Sequence, residues 1–417
     1  MLRSRIAAEI EAQRALLRTR AGRALAAGLG VLALLTVAGM VAVWPHERRE
    51  LHDPQIIAFG VVPAEVTGVL AMECPIESRP GCMRVEFRLT GGLDEGRRSF
   101  LVLPGDEVTP RLSPGDDIRV APNLGSFGGD APAPEAGADP AQAPYGFVGF
   151  ERRAPLLWLA LAFVALVVVL GRRVGLLSLV ALAIGLLLVT AFVVPAILNG
   201  ASPLAVGLIG SFAAMFVTIV LVYGVGAKSL AALLGTAASL LVTAVLAVVF
   251  VEAAHLVGAV SEEATLVRSL GGGDLVSVKG LVLAGILIGA LGVLNDVTVG
   301  QASTVLALQR ANPAQHFVEL YRGAVGVGRD HLGAAVNTLV FAYAGASLPL
   351  LLIFSSQRVT FGDAINREDV ATEIVAALVG SIGLVLAVPL TSATAALLAT
   401  RLPVPALPAE EHASHGH

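Results

Sequence analysis

Long apolar runs separated by short polar connections occupy the second two-thirds of the chain. A hydrocarbon core of roughly 30 Å needs about 20 apolar residues in a helix. Runs of that kind fall near 22–44, 154–171, 175–198, 203–224, 229–253, 279–299, 332–355 and 371–399. The pattern predicts an all-α polytopic membrane protein with about eight transmembrane helices. Between the first two runs the period changes. Short β-branched or alternating stretches lie at 56–62, 83–89, 99–103 and 117–120, punctuated by Thr90-Gly91-Gly92, Pro104-Gly105-Asp106 and Ser113-Pro114-Gly115-Asp116. Such strands and turns predict a small inserted β domain, a barrel or sandwich, with a five-stranded OB-like barrel as a candidate.

Composition agrees with the pattern. Hydrophobic residues make up 55% of the chain and charged residues 14%, too much apolar surface for one soluble core. The net charge of −4 offers no broad basic field for nucleic acid, so the lipid bilayer is the expected partner. The arginines are unevenly placed, and their placement sets an orientation. Arg3, Arg5, Arg14, Arg18, Arg20 and Arg23 lie before or at the start of the first run, Arg172 and Arg173 follow the second, and Lys228 follows the fourth. Arg310, Arg322 and Arg329 lie between the sixth and seventh runs, and Arg401 follows the eighth. The positive-inside rule then puts both termini in the cytoplasm and residues 45–153 outside. The first run is expected to be an uncleaved anchor; a cleaved signal peptide, with its shorter apolar stretch, is the rival.

The expected organisation is a cytoplasmic segment at 1–21, an anchor at 22–44 and an extracytoplasmic β-rich domain at 45–120. A Gly/Pro/Ala-rich tether at 121–153, a seven-helix membrane domain at 154–400 and a cytoplasmic tail at 401–417 follow. Cys74 and Cys82, the two cysteines, flank a Pro- and Gly-containing turn in the β domain. On the outer face a disulfide is expected, with free buried thiols as the alternative; no metal set surrounds them. The His-rich tail reads as disordered. Phosphate-binding, zinc-protease and nucleophile-elbow motifs do not occur, so no cofactor and no enzyme class is indicated.

Polar residues concentrate in the sixth and seventh runs. Gly285, Gly289, Gly292, Asp296, Gly300 and Ser303 recur in steps of three and four and share one helix face. An ionised carboxylate facing lipid costs several kcal/mol, so Asp296 is expected to point into protein or a water-filled cavity. At about 1.5 Å per residue it lies roughly 25 Å beyond Lys279, towards the cytoplasmic side. Gly326, Asp330, Gly333 and Asn337 form a second small and polar stripe, with Thr338 beside it. The two faces are expected to pack together and bring Asp296 to Arg329, Asn337 or Thr338. The candidate intramembrane site is therefore Asp296, Asn295, Ser303, Arg329, Asp330, Asn337 and Thr338. The bland alternatives are a structural ion pair for Asp296, cap and flank roles for Arg329 and Asp330, and interhelical hydrogen bonding for Asn337 and Thr338.

At these residues the sequence resembles the YibE/F family of bacterial multi-pass membrane proteins. Gly289-Ala-Leu-Gly with Asp296 and Ser303, Gly328-Arg-Asp-x-x-Gly, Asn337-Thr-Leu, Ala342-Tyr-x-Gly and Ser347-Leu-Pro carry the resemblance. It extends more loosely over 154–400, and Asn295 and Thr298-x-x-Gln301 depart from the pattern. The resemblance implies a bacterial cytoplasmic membrane location and no particular substrate. A transporter or permease of a small solute or ion working through Asp296 is the leading expectation. A scaffold or assembly factor binding a protein partner through the β domain is the alternative, and an intramembrane enzyme ranks last for want of a nucleophile and base.

Overall fold

The computed structural model describes residues 19–45, 60–72, 81–92, 94–104, 110–122, 144–258, 277–356 and 359–401. The arginines before residue 19, Cys74, most of the tether, the acidic loop 259–276 and the tail from 402 lie outside the described residues. Contacts divide the chain into two units, Met1–Leu51 with Val167–His417, and His52–Leu166.

The smaller unit holds an antiparallel sheet of β1 (Val62–Met72), β2 (Cys82–Leu89), β3 (Arg98–Pro104), β4 (Asp117–Pro122) and β5 (Tyr145–Phe150). Their spatial order is β3-β2-β1-β4-β5. Alternation explains the core: Ala64, Val66, Val85, Phe87, Leu101, Ile118 and Val120 point to one side and are buried together. Phe87 meets the Tyr145 ring edge-on at 5.5 Å between centroids. Two expectations change here. The first strand begins where 56–62 was expected to end, and β5 lies within the stretch read as tether, where its glycines mask the aromatic positions Tyr145, Phe147 and Phe150. The sheet is also open. β3 and β5 approach each other, but no ladder joins them among the described residues, whereas an OB-like barrel would close there.

The larger unit is helical. It contains α1 (Arg20–Ala42), the later part of α2 (Arg153–Leu188), α3 (Val194–Leu198), α4 (Pro203–Tyr223) and α5 (Ala227–Ala253). α6 (Val278–Ala311), α7 (Phe317–Ala346), α8 (Leu348–Ser356), α9 (Phe361–Ile365) and α10 (Glu368–Ala399) complete it. Thr19 caps α1 by accepting from the Gly22 N–H at 2.9 Å, and Ser277 caps α6 through Gly280.

Six helical stretches among the described residues are long and apolar enough to cross a membrane, against the eight expected. Two causes account for the difference. The second and third runs are two helices joined without a loop and so count as one 46-residue stretch, Arg153–Leu198. They part at Arg172, where the backbone leaves the helical region (φ 51°, ψ −126°), and the second of them continues through a π-helical turn at Val189–Val193. The seventh run is divided at Ser347 between the second half of α7 and the nine-residue α8, so neither helix holds an apolar window long enough for a span, and the residues of α7 just before the run are the charged Arg329 and Asp330.

Small side chains set the packing of α5, α6 and α10. A methyl group on Gly235 of α5 would sit 2.0 Å from the Thr391 hydroxyl of α10, and one on Gly383 of α10 would sit 2.0 Å from the Thr243 hydroxyl of α5. Each helix thus inserts a threonine into a notch that the other leaves by having no Cβ. Gly207 of α4 receives Ala284 of α6 in the same way. In lipid, where no hydrophobic drive separates helix from solvent, such close approach supplies the dispersion contact that holds a bundle.

Candidate functional site

Asp296 lies a little past the middle of α6, on the face that carries Gly285, Gly289, Gly292 and Gly300. All five positions are exposed in the single chain. The helix thus groups them on one face, as the spacing predicts, yet nothing lies within 4 Å of a methyl group built on Gly285, Gly292 or Gly300. Of these glycines, Gly289 alone approaches α7, where the Tyr343 hydroxyl would lie 3.3 Å from such a methyl group.

A cavity of about 290 Å³ opens beside Asp296. α6 contributes Asp296, Gln301 and Thr304, α7 contributes Gly328 and His331, and α10 contributes Val388. Its walls thus offer a carboxylate, an imidazole, a hydroxyl and an amide to anything that enters. Among the described residues, no group of three or more His, Cys, Asp or Glu side chains is placed to hold a metal ion.

Gln301 fixes the floor of this cavity. Its Nε2 donates to the Ala324 carbonyl of α7 and to the Ser392 hydroxyl of α10, both at 2.7 Å, and the side chain is buried. Gly328 makes room for it, since a methyl group there would lie 2.8 Å from Gln301 Oε1 and 2.6 Å from Val388. One turn earlier on α6, Thr298 meets Thr236 of α5 hydroxyl to hydroxyl at 2.6 Å and also donates to the Asn295 carbonyl at 3.1 Å.

The expected site residues separate into two groups. Asn295 lies next to Asp296 on α6, and its Oδ1 is buried without a hydrogen-bond partner. Ser303 turns back to the Val299 carbonyl at 2.8 Å. Arg329, Asp330, Asn337 and Thr338 lie on an exposed face of α7, and Thr338 donates to its own helix at Ala334. The α7 groups beside Asp296 are instead Gly328, His331 and Leu332. A shift of one to three residues around a helix is enough to exchange one face for the next, and spacing alone does not fix which face meets the neighbour.

Gln301, His331, Ser392 and the Thr236–Thr298 pair were not singled out from the sequence as site residues. The signal for Gln301 was present, a long amide inside a helix otherwise built of small and apolar side chains. That for Thr236 was not, because serine and threonine are common in membrane helices and bond their own backbone.

Apolar spans around a polar, glycine-lined cavity define a polytopic membrane protein. A family model described as YibE/F-like protein matches residues 159–401, more than half of the chain. The chain belongs to that family. No curated protein and no solved structure gives a significant match.

Proposed function

We propose that the protein is a transporter or permease that passes a small solute or ion by way of the Asp296 cavity. The observation that supports this reading is the cavity itself, in which an acid and an imidazole face the same space between predominantly apolar helices. Intramembrane acids are retained at a cost and commonly mark a pathway. The same reading places the protein in the bacterial cytoplasmic membrane with both termini inside and 45–153 outside, as the arginine distribution supports. It also joins Cys74 to Cys82 by a disulfide on the oxidising side.

The experiment is flux into vesicles reconstituted with the purified protein, across a panel of ions, protons and small solutes, for wild type and Asp296→Asn. Uptake that falls tenfold or more in the variant, at unchanged thermal stability, supports the reading. Equal uptake by both forms, or none above empty vesicles for any solute, sinks it.

A second reading has its own support. Leu70 and Val148 are each 55% exposed on the sheet, which suits a protein partner of the outer unit. Loss of function on deleting 46–150 with flux intact would favour that scaffold role.

A further inference from the structure

A groove of about 340 Å³ that shares no lining residue with the Asp296 cavity lies between α1, α4 and α5. Leu29, Gly30, Phe216, Val220 and Leu233 make it apolar, and its size suits a small ligand or a single lipid chain. One end differs. Ser229 lines the groove, is 2% exposed, and its hydroxyl has no hydrogen-bond partner. It is the third residue of α5, whose N-cap is Gly226 and so supplies no side-chain acceptor. The first N–H groups of that helix lack internal acceptors and carry the positive end of its dipole.

Cations gather at the same end of the helices, outside the groove's own lining. Lys228 sits with its ammonium 4.3 Å from the centre of the Tyr223 ring, and Arg310 lies within electrostatic range of it. Arg23 precedes the groove-lining Ala26 by one turn of α1, and Arg20 precedes it by two. An apolar trough that ends in an unpaired hydroxyl and a helix N-terminus, with cations outside its lining at the same end of the neighbouring helices, complements a molecule with a long apolar tail and an anionic head.

We propose that this groove seats an acidic phospholipid. One acyl chain lies along Gly30 and Phe216, and the phosphate takes hydrogen bonds from the first N–H groups of α5, from Ser229 and from Lys228. The hydroxyl and the groove point to the ligand independently: the one asks for an acceptor, the other for hydrocarbon.

Native mass spectrometry of the full chain tests this after incubation with phosphatidylethanolamine vesicles containing or lacking phosphatidylglycerol. Wild type is expected to retain phosphatidylglycerol. Gly30→Phe, which meets no atom within 4 Å at its Cβ and fills the trough, is expected to lose it. Lys228→Gln is expected to weaken retention about fivefold, the worth of one basic residue near an acidic membrane surface. Equal retention of both lipids, or unchanged retention in Gly30→Phe and Lys228→Gln, overturns the proposal. So does protection of wild type against heating by inorganic phosphate to the same extent as by the lipid, which would mark a site for a free anion. Should Gly30→Phe not fold, Ser229→Ala with Lys228→Gln decides the matter by the same readout.

Discussion

The hydroxyls of Thr236 and Thr298 meet at 2.6 Å in the contact between α5 and α6, and both residues are fully buried. Thr298 has a second acceptor in the Asn295 carbonyl, whereas Thr236 has Thr298. Thr298→Val therefore strands the Thr236 hydroxyl, while Thr236→Val leaves Thr298 its own backbone. The first is expected to cost more than the second, by about 1 kcal/mol. Thermal unfolding of both single variants and the double variant in one detergent checks the order, and equal losses would contradict it.

Gly235→Ala is expected to destabilise the bundle by about 1–3 kcal/mol, because its methyl group collides with Thr391 where both backbones are close. Gly285→Ala places the same methyl group in open space and is expected to raise stability by up to about 1 kcal/mol, the gain in helix propensity. The two melting curves, run side by side, separate packing from helix propensity.

Gln301→Leu removes the hydrogen bonds to Ala324 and Ser392 and is expected to cost about 1–3 kcal/mol. Hydrogen exchange should rise in α7 more than in α5. Equal exchange of α7 in wild type and variant would show that Gln301 does not hold that helix.

Glu151 sits outside the membrane spans. The Arg153 backbone N–H and then the Arg119 guanidinium hold its carboxyl below the ordinary value of 4.5. A carboxyl depressed in the folded state adds stability above its unfolded pKa, and that contribution fades as pH falls through the folded pKa. Glu151→Gln is expected to flatten the acid limb of the stability profile below about pH 4.5, the range in which an ordinary glutamate takes up its proton. Parallel acid limbs in the two forms would rule this out.

The membrane class, the family and most helix positions were legible because long apolar runs and ordered polar motifs are local signals. The strand at 145–150 was not, since its glycines resemble linker composition and only pairing with β4 makes it a strand. Around Asp296 the residue spacing defined the face of α6 but not its neighbour. Which side of α7 turns inward depends on Gln301 reaching Ala324 and on Gly328 leaving space, contacts between residues far apart in the chain.

The paired threonine notches between α5 and α10 have a mechanical consequence. Sliding either helix along the other by one residue would lift Thr391 and Thr243 from their seats together, so these two helices behave as a single strut. α7 meets that strut at Gly328, under Val388, on the wall of the Asp296 cavity. Because Leu339 of α7 also lies over Gly380 of α10, that wall of the cavity moves against the keyed pair only if both contacts open.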